Sequence, residues 1–284
     1  MNKIYLGDNL EIIRSIEDES IDLIYIDPPF NTGNTQKRKN IKTVKDDNGD
    51  RSGFAGKKYK TIELSDKELS YNDHFDDYIE GFLRPRMVEA HRVLKKTGTI
   101  YLHLDYREVH YAKVMMDHVF GRHNFLNELI WCYDYGAKQK TKWPTKHDTI
   151  LWYCKDSEHY YFDIERCDRI PYMAPKLAGK EKAEKGKLPC DWQFITIVSP
   201  TGHEKTGYPT QKPLKLLERL IKTSCPDGGV VLDYFAGSGS TGHAALNCNK
   251  LFILIDSNPD AIEIQRKRFE EYYPNEKIIY ENKN

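Results

Sequence analysis

Two short motifs in this sequence carry residue types that suit chemistry, and each follows an apolar run. The first is Asp27-Pro28-Pro29-Phe30, directly after the predicted strand Ile21–Ile26. The prolines end this strand because they lack the N–H that a sheet needs and fix φ. A stiff carbonyl and the Asp27 carboxylate can accept hydrogen bonds from the exocyclic amine of a nucleobase, and Phe30 can stack on its ring. The alternative interpretation is a plain turn with a capping aspartate.

The second motif is a glycine-rich turn between a predicted strand and a predicted helix. Gly237, Gly239 and Gly242 follow the strand 230–233 in the pattern G-x-G-x-x-G, which lets a ligand approach the backbone at a helix N-terminus. The next predicted strand ends at Asp256, whose carboxylate can accept hydrogen bonds from two ribose hydroxyls. Together these features predict a site for an adenosine-containing ligand.

The residues around this turn indicate which adenosine ligand it suits. A phosphate-binding loop needs Lys and then Ser or Thr after Gly242, whereas this chain has His243 and Ala244. Asp233, just before the turn, is a poor neighbour for a pyrophosphate because both groups are negative. The sequence therefore favours S-adenosylmethionine, which carries a cationic amino group and a sulfonium.

Strands and helices alternate along most of the chain, which is typical of an α/β fold with a doubly wound, mostly parallel sheet. The segments 125–133 and 149–154 are predicted to form an antiparallel hairpin at its edge. Residues 31–60 hold nine basic and three acidic side chains and are predicted to be a mobile, irregular loop. Residues 155–206 show no sustained period, and we expect a small insert there.

The composition excludes several classes of protein. The chain has 284 residues, 39% of them hydrophobic, so it can bury a core and is not wholly disordered. Its 43 basic and 43 acidic residues exclude a polycationic binder, although basic patches can still bind nucleic acid. No apolar run reaches the roughly 18 residues that span a bilayer, and the N-terminus lacks the apolar core of a signal peptide. We therefore expect a cytoplasmic protein without membrane contact.

Cysteine and histidine spacing predicts neither disulfides nor a metal site. The six cysteines are scattered without a C-x-x-C pair, which is typical of free thiols in a cytosolic chain. The histidines show no ligand spacing with a carboxylate, so we expect no metal.

Four segments resemble the motifs of one enzyme family. The segment 27–30 resembles motif IV of the DNA amino-methyltransferases, and 232–242 resembles their motif I. Tyr-Pro-Thr-Gln-Lys-Pro at 208–213 is similar to motif X, and 125–131 is similar to the motif VIII region. The catalytic motif comes first and the cofactor motif last, as in the circularly permuted β-group of this family. The resemblance spans most of the chain and implies a Rossmann-like fold of the S-adenosylmethionine-dependent methyltransferase type.

The resemblance also implies how the chain is divided. Residues 1–154 would form the catalytic half of the methyltransferase domain, and 207–284 would form the cofactor-binding half. The insert 155–206 would be the target-recognition region. Asp27 and the Pro28 carbonyl would hold the target amine, with Pro29 completing the motif, and Phe30 would stack on the extruded base.

The family assigns the cofactor to residues from four segments. By that resemblance, Asp233 would lie near the methionine end, Asp256 would bind the ribose and Asp8 would touch the adenine. Thr210 and Lys212 would approach the methionine carboxylate. The other matching cofactor positions are Asn9, Phe235, Gly237, Gly239, Ser240 and Thr241.

The implied activity is site-specific transfer of a methyl group from S-adenosylmethionine to the N6 amine of adenine in duplex DNA, after base flipping. An aspartate before the two prolines resembles the adenine branch, and N4-cytosine is the alternative. Double-stranded DNA is the implied partner, with lysine-rich stretches holding its phosphates. The resemblance implies a restriction-modification system, and it leaves open a cognate endonuclease and a homodimer.

Three other interpretations stay open. Pro189-Cys190 could supply a thiolate for carbon-5 methylation of cytosine, although it lies in the irregular insert. An NAD-dependent dehydrogenase would explain the glycine pattern and Asp256 but gives no role to Asp27. A non-catalytic DNA-binding protein with a decayed methyltransferase fold is the third, and the intact Asp27 and Gly237 argue against it.

Overall fold

The structure is a computed structural model in which a large central sheet is packed between helices. It describes residues 1–33, 36–49, 51–52, 58–71, 73–134, 139–199, 202, 204–208 and 210–283. Within this described part of the chain, every helix is too short or too polar to cross a bilayer.

The described residues form twelve strands, which belong to two sheets. In chain order they are β1 (Asn2–Leu6), β2 (Ile21–Ile26), β3 (Gln36–Lys45), β4 (Arg51–Ser52), β5 (Lys58–Tyr71), β6 (Leu94–Leu104), β7 (Phe125–Cys132), β8 (His147–Cys154), β9 (Trp192–Phe194), β10 (Val230–Asp233), β11 (Leu251–Asp256) and β12 (Ile278–Asn282). The central sheet has the order β12-β1-β11-β10-β2-β6-β8-β7-β9. Its first six strands are parallel, β8 is antiparallel to both of its neighbours, and β9 runs parallel to β7. The predicted doubly wound sheet with a hairpin edge is therefore confirmed.

Helices cover both faces of this sheet. In chain order they are α1 (Asn9–Arg14), α2 (Arg84–Val93), α3 (Val109–Phe120), α4 (Pro175–Ala178), α5 (Lys180–Lys185), α6 (Leu214–Ser224), α7 (Ser240–Asn247) and α8 (Pro259–Tyr272), with a π-helical turn at Tyr78–Leu83 before α2. The side chains of β2 alternate between the two cores, as expected for a strand buried on both sides. Ile24 and Ile26 pack with α1, α2 and α3, while Leu23 and Tyr25 pack with α6, α7 and α8.

The neighbouring strands β2 and β10 form a point where the strand order diverges. They pair in parallel, with Leu232 opposite Ile24, and their chains then continue to opposite sides of the sheet: β10 leads to β11, and β2 leads to β6. A crevice opens outside the carboxyl ends of strands at such a switch point, and ligands of α/β proteins bind there. This topology brings the ends of β2 and β10, with Asp27 and Asp233, to one crevice.

The prediction of an irregular loop at 31–60 was wrong for most of the described residues of that segment. β3 pairs with β5 in an antiparallel ladder, and β4 pairs with the start of β5, which gives a second sheet of order β3-β5-β4. Residues 34–35, 50 and 53–57 lie outside the described residues, and the predicted mobility of 31–60 stays a prediction.

The described residues of the insert 155–206 form only short elements, as the lack of a sustained period predicted. It holds the short helices α4 and α5 and the three-residue strand β9, which extends the central sheet beside β7. The sequence did not predict β9 or the C-terminal strand β12.

All six cysteines are free, as predicted. Among the described residues, Asp156, Glu158 and His159 are metal-ligating side chains whose ligand atoms lie within 4.8 Å of one another. The cluster is largely exposed and does not line the cavity described below. The predicted absence of a metal stays a prediction.

Candidate active site

A cavity of about 320 Å³ lies at the carboxyl ends of β2, β10 and β11. All but one of the predicted site residues line it. Those lining residues are Asp8, Asn9, Asp27, Pro28, Pro29, Phe30, Thr210, Lys212, Asp233, Phe235, Gly237, Ser240, Thr241 and Asp256. Two motifs about 200 residues apart in sequence thus share one cavity.

Gly239 is the predicted site residue that does not line this cavity. It precedes α7 with a φ of +75°, a backbone conformation that favours glycine. A Cβ at this position would lie 2.8 Å from Cγ of Gln265. Gly239 therefore forms the turn and allows close packing of α8, and the structure gives it no direct place at a ligand.

The Asp27 carboxylate lines the cavity beside a buried lysine. Oδ2 of Asp27 accepts a hydrogen bond from Nζ of Lys212. Oδ1 is buried and has no hydrogen-bond partner among the described residues. An unpaired buried oxygen is costly, and a ligand donor would satisfy it. The resemblance placed Lys212 at the cofactor carboxylate, whereas in this structure it contacts Asp27.

The two proline carbonyls after Asp27 differ in their partners. The Tyr78 hydroxyl donates a hydrogen bond of 2.6 Å to the Pro29 carbonyl. The Pro28 carbonyl accepts no hydrogen bond from the residues that the structure describes. Of the two, Pro28 therefore keeps an acceptor free for a ligand, while Tyr78 fixes the backbone beside it.

The Phe30 ring rests on a buried polar network. It stacks on the imidazole of His103 at 6.1 Å between centroids, with the planes 25° apart. Nε2 of His103 lies 3.1 Å from Asp148, and Nδ1 lies 2.8 Å from the Tyr25 hydroxyl. Because an ionised carboxylate only accepts, Nε2–H of His103 donates to Asp148, and Nδ1 shares a hydrogen bond with the Tyr25 hydroxyl. This chain of bonds holds the surface against which Phe30 packs.

The Asp233 carboxylate is buried below the glycine-rich turn. It accepts hydrogen bonds from the Phe235 N–H (2.9 Å) and the Thr241 hydroxyl (2.6 Å). Burial raises the pKa of Asp233 to about 7; these two bonds oppose the rise, and the negative charges of Asp27 and Asp256 add to it. A cationic ligand at this carboxylate would favour its ionised form.

The raised pKa of Asp233 predicts an unusual dependence of stability on pH. In the unfolded chain an aspartate has a pKa of about 3.9, so the folded protein holds the proton more tightly. The tighter binding of this proton in the folded state adds to the free energy of unfolding. The added stability is fully present below about pH 4 and is lost as the pH rises through 7. An asparagine side chain cannot ionise, so Asp233→Asn should escape this loss.

We expect the stability of Asp233→Asn, relative to the unsubstituted protein, to rise by about 3 kcal/mol between pH 5 and pH 8. Thermal denaturation of both ligand-free proteins at several pH values measures this difference. A constant difference in Tm across that range would contradict the raised pKa.

The Asp256 carboxylate, at the end of β11, fixes the glycine-rich turn from the neighbouring strand. Oδ2 accepts the Gly237 N–H at 2.7 Å, and Oδ1 accepts the Asn258 N–H at 2.8 Å. Burial raises the pKa of Asp256, and these backbone bonds oppose the rise. Each carboxylate oxygen has a second lone pair, so the side chain can still accept hydrogen bonds from a ligand.

A third wall is formed by the start of α1 and by α2. Asn9 donates to the Tyr234 carbonyl at 2.7 Å and accepts from Nε of Arg86 at 2.7 Å. Arg86 also donates to the Phe82 carbonyl and lies 3.7 Å from Asp8. These contacts tie the Asp8-Asn9 segment to the glycine-rich turn through Tyr234.

Sequence reasoning missed several residues that line the cavity or support its lining residues. Tyr78, His103 and Arg86 act through contacts with residues 49 to 78 positions away, which no local spacing reveals. Tyr25 could have been predicted from the sequence. It lies on β2 two residues before Asp27, so its side chain points to the same face of the sheet.

Solved structures of similar fold support this architecture. The PvuII DNA methyltransferase (cytosine-N4-specific) matches with a TM-score of 0.64 at 18% identity, over 95% of this chain and 86% of that one. The M1.HpyAVI–SAM complex matches with a TM-score of 0.60 at 22% identity, over 95% of this chain and 99% of that one. At these identities the likeness shows the fold.

Curated relatives extend over nearly the whole chain. The Type II methyltransferase M.HpaI of Haemophilus parainfluenzae is 27% identical over 94% of this chain and 74% of its own length. The DNA adenine methyltransferase YhdJ of Escherichia coli (strain K12) is 27% identical over 93% of this chain and 81% of its own length. The model of the DNA methylase family matches residues 21–267, which include Asp27, the glycine-rich turn and Asp256. The chain belongs to the DNA methylase family.

Proposed function

We propose that this DNA methylase transfers a methyl group from S-adenosylmethionine to the N6 amine of adenine in duplex DNA. One observation carries the proposal: the acceptors of motif IV and the glycine-rich turn line the same cavity. Among the described residues, Oδ1 of Asp27 and the Pro28 carbonyl have no hydrogen-bond partner. They therefore offer two acceptors for one amine.

The cavity residues fit S-adenosylmethionine. The volume of about 320 Å³ lies in the range of small-molecule sites. Asp233, which is buried, and Asp256, which is half-buried, place two carboxylates beside the turn. This suits a ligand with an ammonium group, a sulfonium and ribose hydroxyls. Asp8, Asn9 and Arg86 offer polar groups at a third wall, where we assign the adenine. The M1.HpyAVI–SAM complex, of the same fold, supports this choice of cofactor.

The protein's own contribution to catalysis is positioning and charge stabilisation. The cofactor supplies an electrophilic methyl group. The amine of adenine is a poor nucleophile because its lone pair is delocalised into the ring. Asp27 and the Pro28 carbonyl draw on its two N–H groups, favour a tetrahedral nitrogen and stabilise the positive charge that develops there. Phe30 stacks on the base and orients the nitrogen towards the methyl group.

Adenine is the target we favour over cytosine. Asp27 occupies the first position of motif IV, as in the adenine branch that this sequence resembles. The relative YhdJ is named a DNA adenine methyltransferase, which supports the same choice. The N4-cytosine specificity of the PvuII enzyme, of the same fold, keeps cytosine N4 as the alternative.

Duplex DNA must reach the cavity from the edge where β2 and β6 end. β8 is antiparallel to β6, with Thr149 opposite Leu104, so the connection between β7 and β8 lies at this same edge. That connection holds Lys140, Lys142 and Lys146, which we assign to phosphate contacts; Lys138 lies outside the described residues. This proposal also includes target recognition by residues 155–206 and base flipping. It further includes a cognate endonuclease, a homodimer and a cytoplasmic location.

Replacing Cys190 with Ser is expected to leave the rate of methyl transfer within about twofold. Cys190 is exposed and does not line the cavity, so it is not placed to attack carbon 5 of a cytosine. A loss of several orders of magnitude in this variant would favour carbon-5 chemistry. The rate is measured with methyl-labelled S-adenosylmethionine and plasmid DNA.

Sequencing of DNA from cells that express the protein tests the proposed function. A direct readout of modified bases should show N6-methyladenine at one recurrent sequence, absent from cells that carry Asp27→Asn. N4-methylcytosine at a recurrent sequence would establish the alternative target, and no added modification would contradict the proposal. The same experiment gives the recognition sequence.

A further inference from the structure

Lys212 occupies the part of the cavity that we assign to the target base. The residue lies just before α6, and its side chain is 9% exposed. Its ammonium group donates to Oδ2 of Asp27 and lies 5.2 Å from the centroid of the Phe30 ring. Both of these partners are residues that the proposed function gives to the base.

In the ligand-free protein these contacts engage one carboxylate oxygen of Asp27 and place the ammonium group over the Phe30 ring. Oδ2 is engaged by Lys212, and Oδ1 is buried without a hydrogen-bond partner among the described residues. A base that donates its amine to Asp27 while stacking on Phe30 competes with the ammonium group for both contacts. Full access of the base to Asp27 and to the Phe30 ring therefore requires the lysine to move.

The cavity offers a reason for this movement. Among its described lining residues, the cationic side chains are Arg86 and Lys212. Arg86 is already engaged by Asn9, the Phe82 carbonyl and Asp8. Lys212 makes one hydrogen bond to the described residues, so two of its three donors are available. A ligand carboxylate that enters the cavity therefore has Lys212 as its available counter-ion.

We propose that Lys212 is a positioning residue that couples cofactor binding to capture of the target base. It covers Asp27 and Phe30 in the ligand-free protein, and it moves to the cofactor's carboxylate when the cofactor binds. The long flexible side chain of lysine lets one ammonium group serve two carboxylates in turn. This inference rests on the proposed function and adds an order of binding to it.

The consequence is a measurable coupling between two ligands. If cofactor binding frees Asp27, the cofactor raises the affinity for the flipped base, and the base raises the affinity for the cofactor by the same factor. A cofactor analogue without a carboxylate cannot draw Lys212 away and should show almost no coupling.

The first test uses the unsubstituted protein. A duplex carries 2-aminopurine at the target adenine, and its fluorescence reports base flipping during titration with protein. We expect saturating S-adenosylhomocysteine to strengthen base capture by roughly tenfold, within the usual range of coupling. Saturating 5′-methylthioadenosine, which lacks the amino-acid part, should change it by less than about twofold. Equal effects of the two compounds would overturn the inference.

Substitutions at Lys212 test the same point independently. In Lys212→Met, base capture should be equally strong with and without S-adenosylhomocysteine, because Asp27 is no longer covered. Lys212→Arg, which keeps the charge, should retain the coupling within about threefold. The matched control is Lys215→Met at an exposed position of α6, which should keep the full coupling. Full coupling in Lys212→Met would contradict the role of this lysine.

The outcomes separate this inference from the proposed function. If the unsubstituted protein methylates adenine but shows no coupling, the role of Lys212 is wrong and the function stands. If it transfers no methyl group to DNA, the proposed function fails and the inference fails with it.

Discussion

Replacing Asp27 with Asn is expected to lower the rate of methyl transfer by about 100- to 1000-fold. A carboxylate stabilises the positive charge that develops on the amine nitrogen, and a neutral amide of the same shape does so far less well. Removal of one such electrostatic group at a reacting centre costs this much in other enzymes. Single-turnover transfer from methyl-labelled S-adenosylmethionine to duplex DNA measures the effect on the chemical step.

Two measurements make the result for Asp27→Asn specific. Equilibrium binding of S-adenosylhomocysteine should not weaken in this variant, because Asp233 and Asp256 are unchanged. Asp76→Asn, the same substitution at a fully exposed side chain, should transfer at the normal rate. A normal rate in Asp27→Asn would remove Asp27 from the mechanism.

Replacing Gly237 with Val is expected to weaken cofactor binding by roughly 10- to 100-fold. Gly237 has a φ of +48°, and a Cβ there would lie 3.0 Å from Cε1 of Tyr208. Both residues line the cavity, so the added methyl groups of valine fill space between the turn and the ring. Overpacking of this kind costs about 1–3 kcal/mol, which corresponds to that loss of affinity.

The strain of a side chain at positive φ has to be separated from the blocked cavity. Gly228 has a φ of +71° and open space around its Cβ position, and it does not line the cavity. Gly228→Val should therefore lose stability without losing cofactor affinity. Calorimetric titration with S-adenosylhomocysteine and thermal denaturation distinguish the two effects. Equal affinities in the two variants would show that the turn at Gly237 does not contact the ligand.

The parts of the fold that position the motifs could be predicted from local sequence. β2 is a six-residue strand in which only Asp22 is charged, and two prolines follow it after Asp27. β10 leads into a glycine-rich turn. Parallel strands in α/β folds end at the same edge, so two such ends predict one crevice. The structure confirms this because β2 and β10 are neighbours.

The small sheet and the edge strands could not be predicted in the same way. β3 and β5 are rich in lysine, threonine and glutamate, so they lack the apolar alternation that marks a half-buried strand. β12 is only five residues long and pairs with β1 at the opposite end of the chain. Such pairing depends on long-range contacts, which a local pattern does not encode.

The site shows the same division between local and long-range information. Asp27, Asp233 and Asp256 were found because each ends a strand, and a strand end is a local feature. The bond of Lys212 to Asp27 joins residues 185 positions apart, and that of Tyr78 to Pro29 joins residues 49 apart. Gly239 was assigned to the ligand from its motif, whereas packing against Gln265 explains its lack of a side chain.

The central claim is that the amine held beside Asp27 receives the methyl group of the cofactor bound at the glycine-rich turn. The most direct measurement is to incubate the purified protein with methyl-labelled S-adenosylmethionine and duplex DNA, digest the DNA and separate the nucleosides. We predict that the label is found in N6-methyldeoxyadenosine. Label in 5-methyldeoxycytidine, or no label in DNA, would contradict the account.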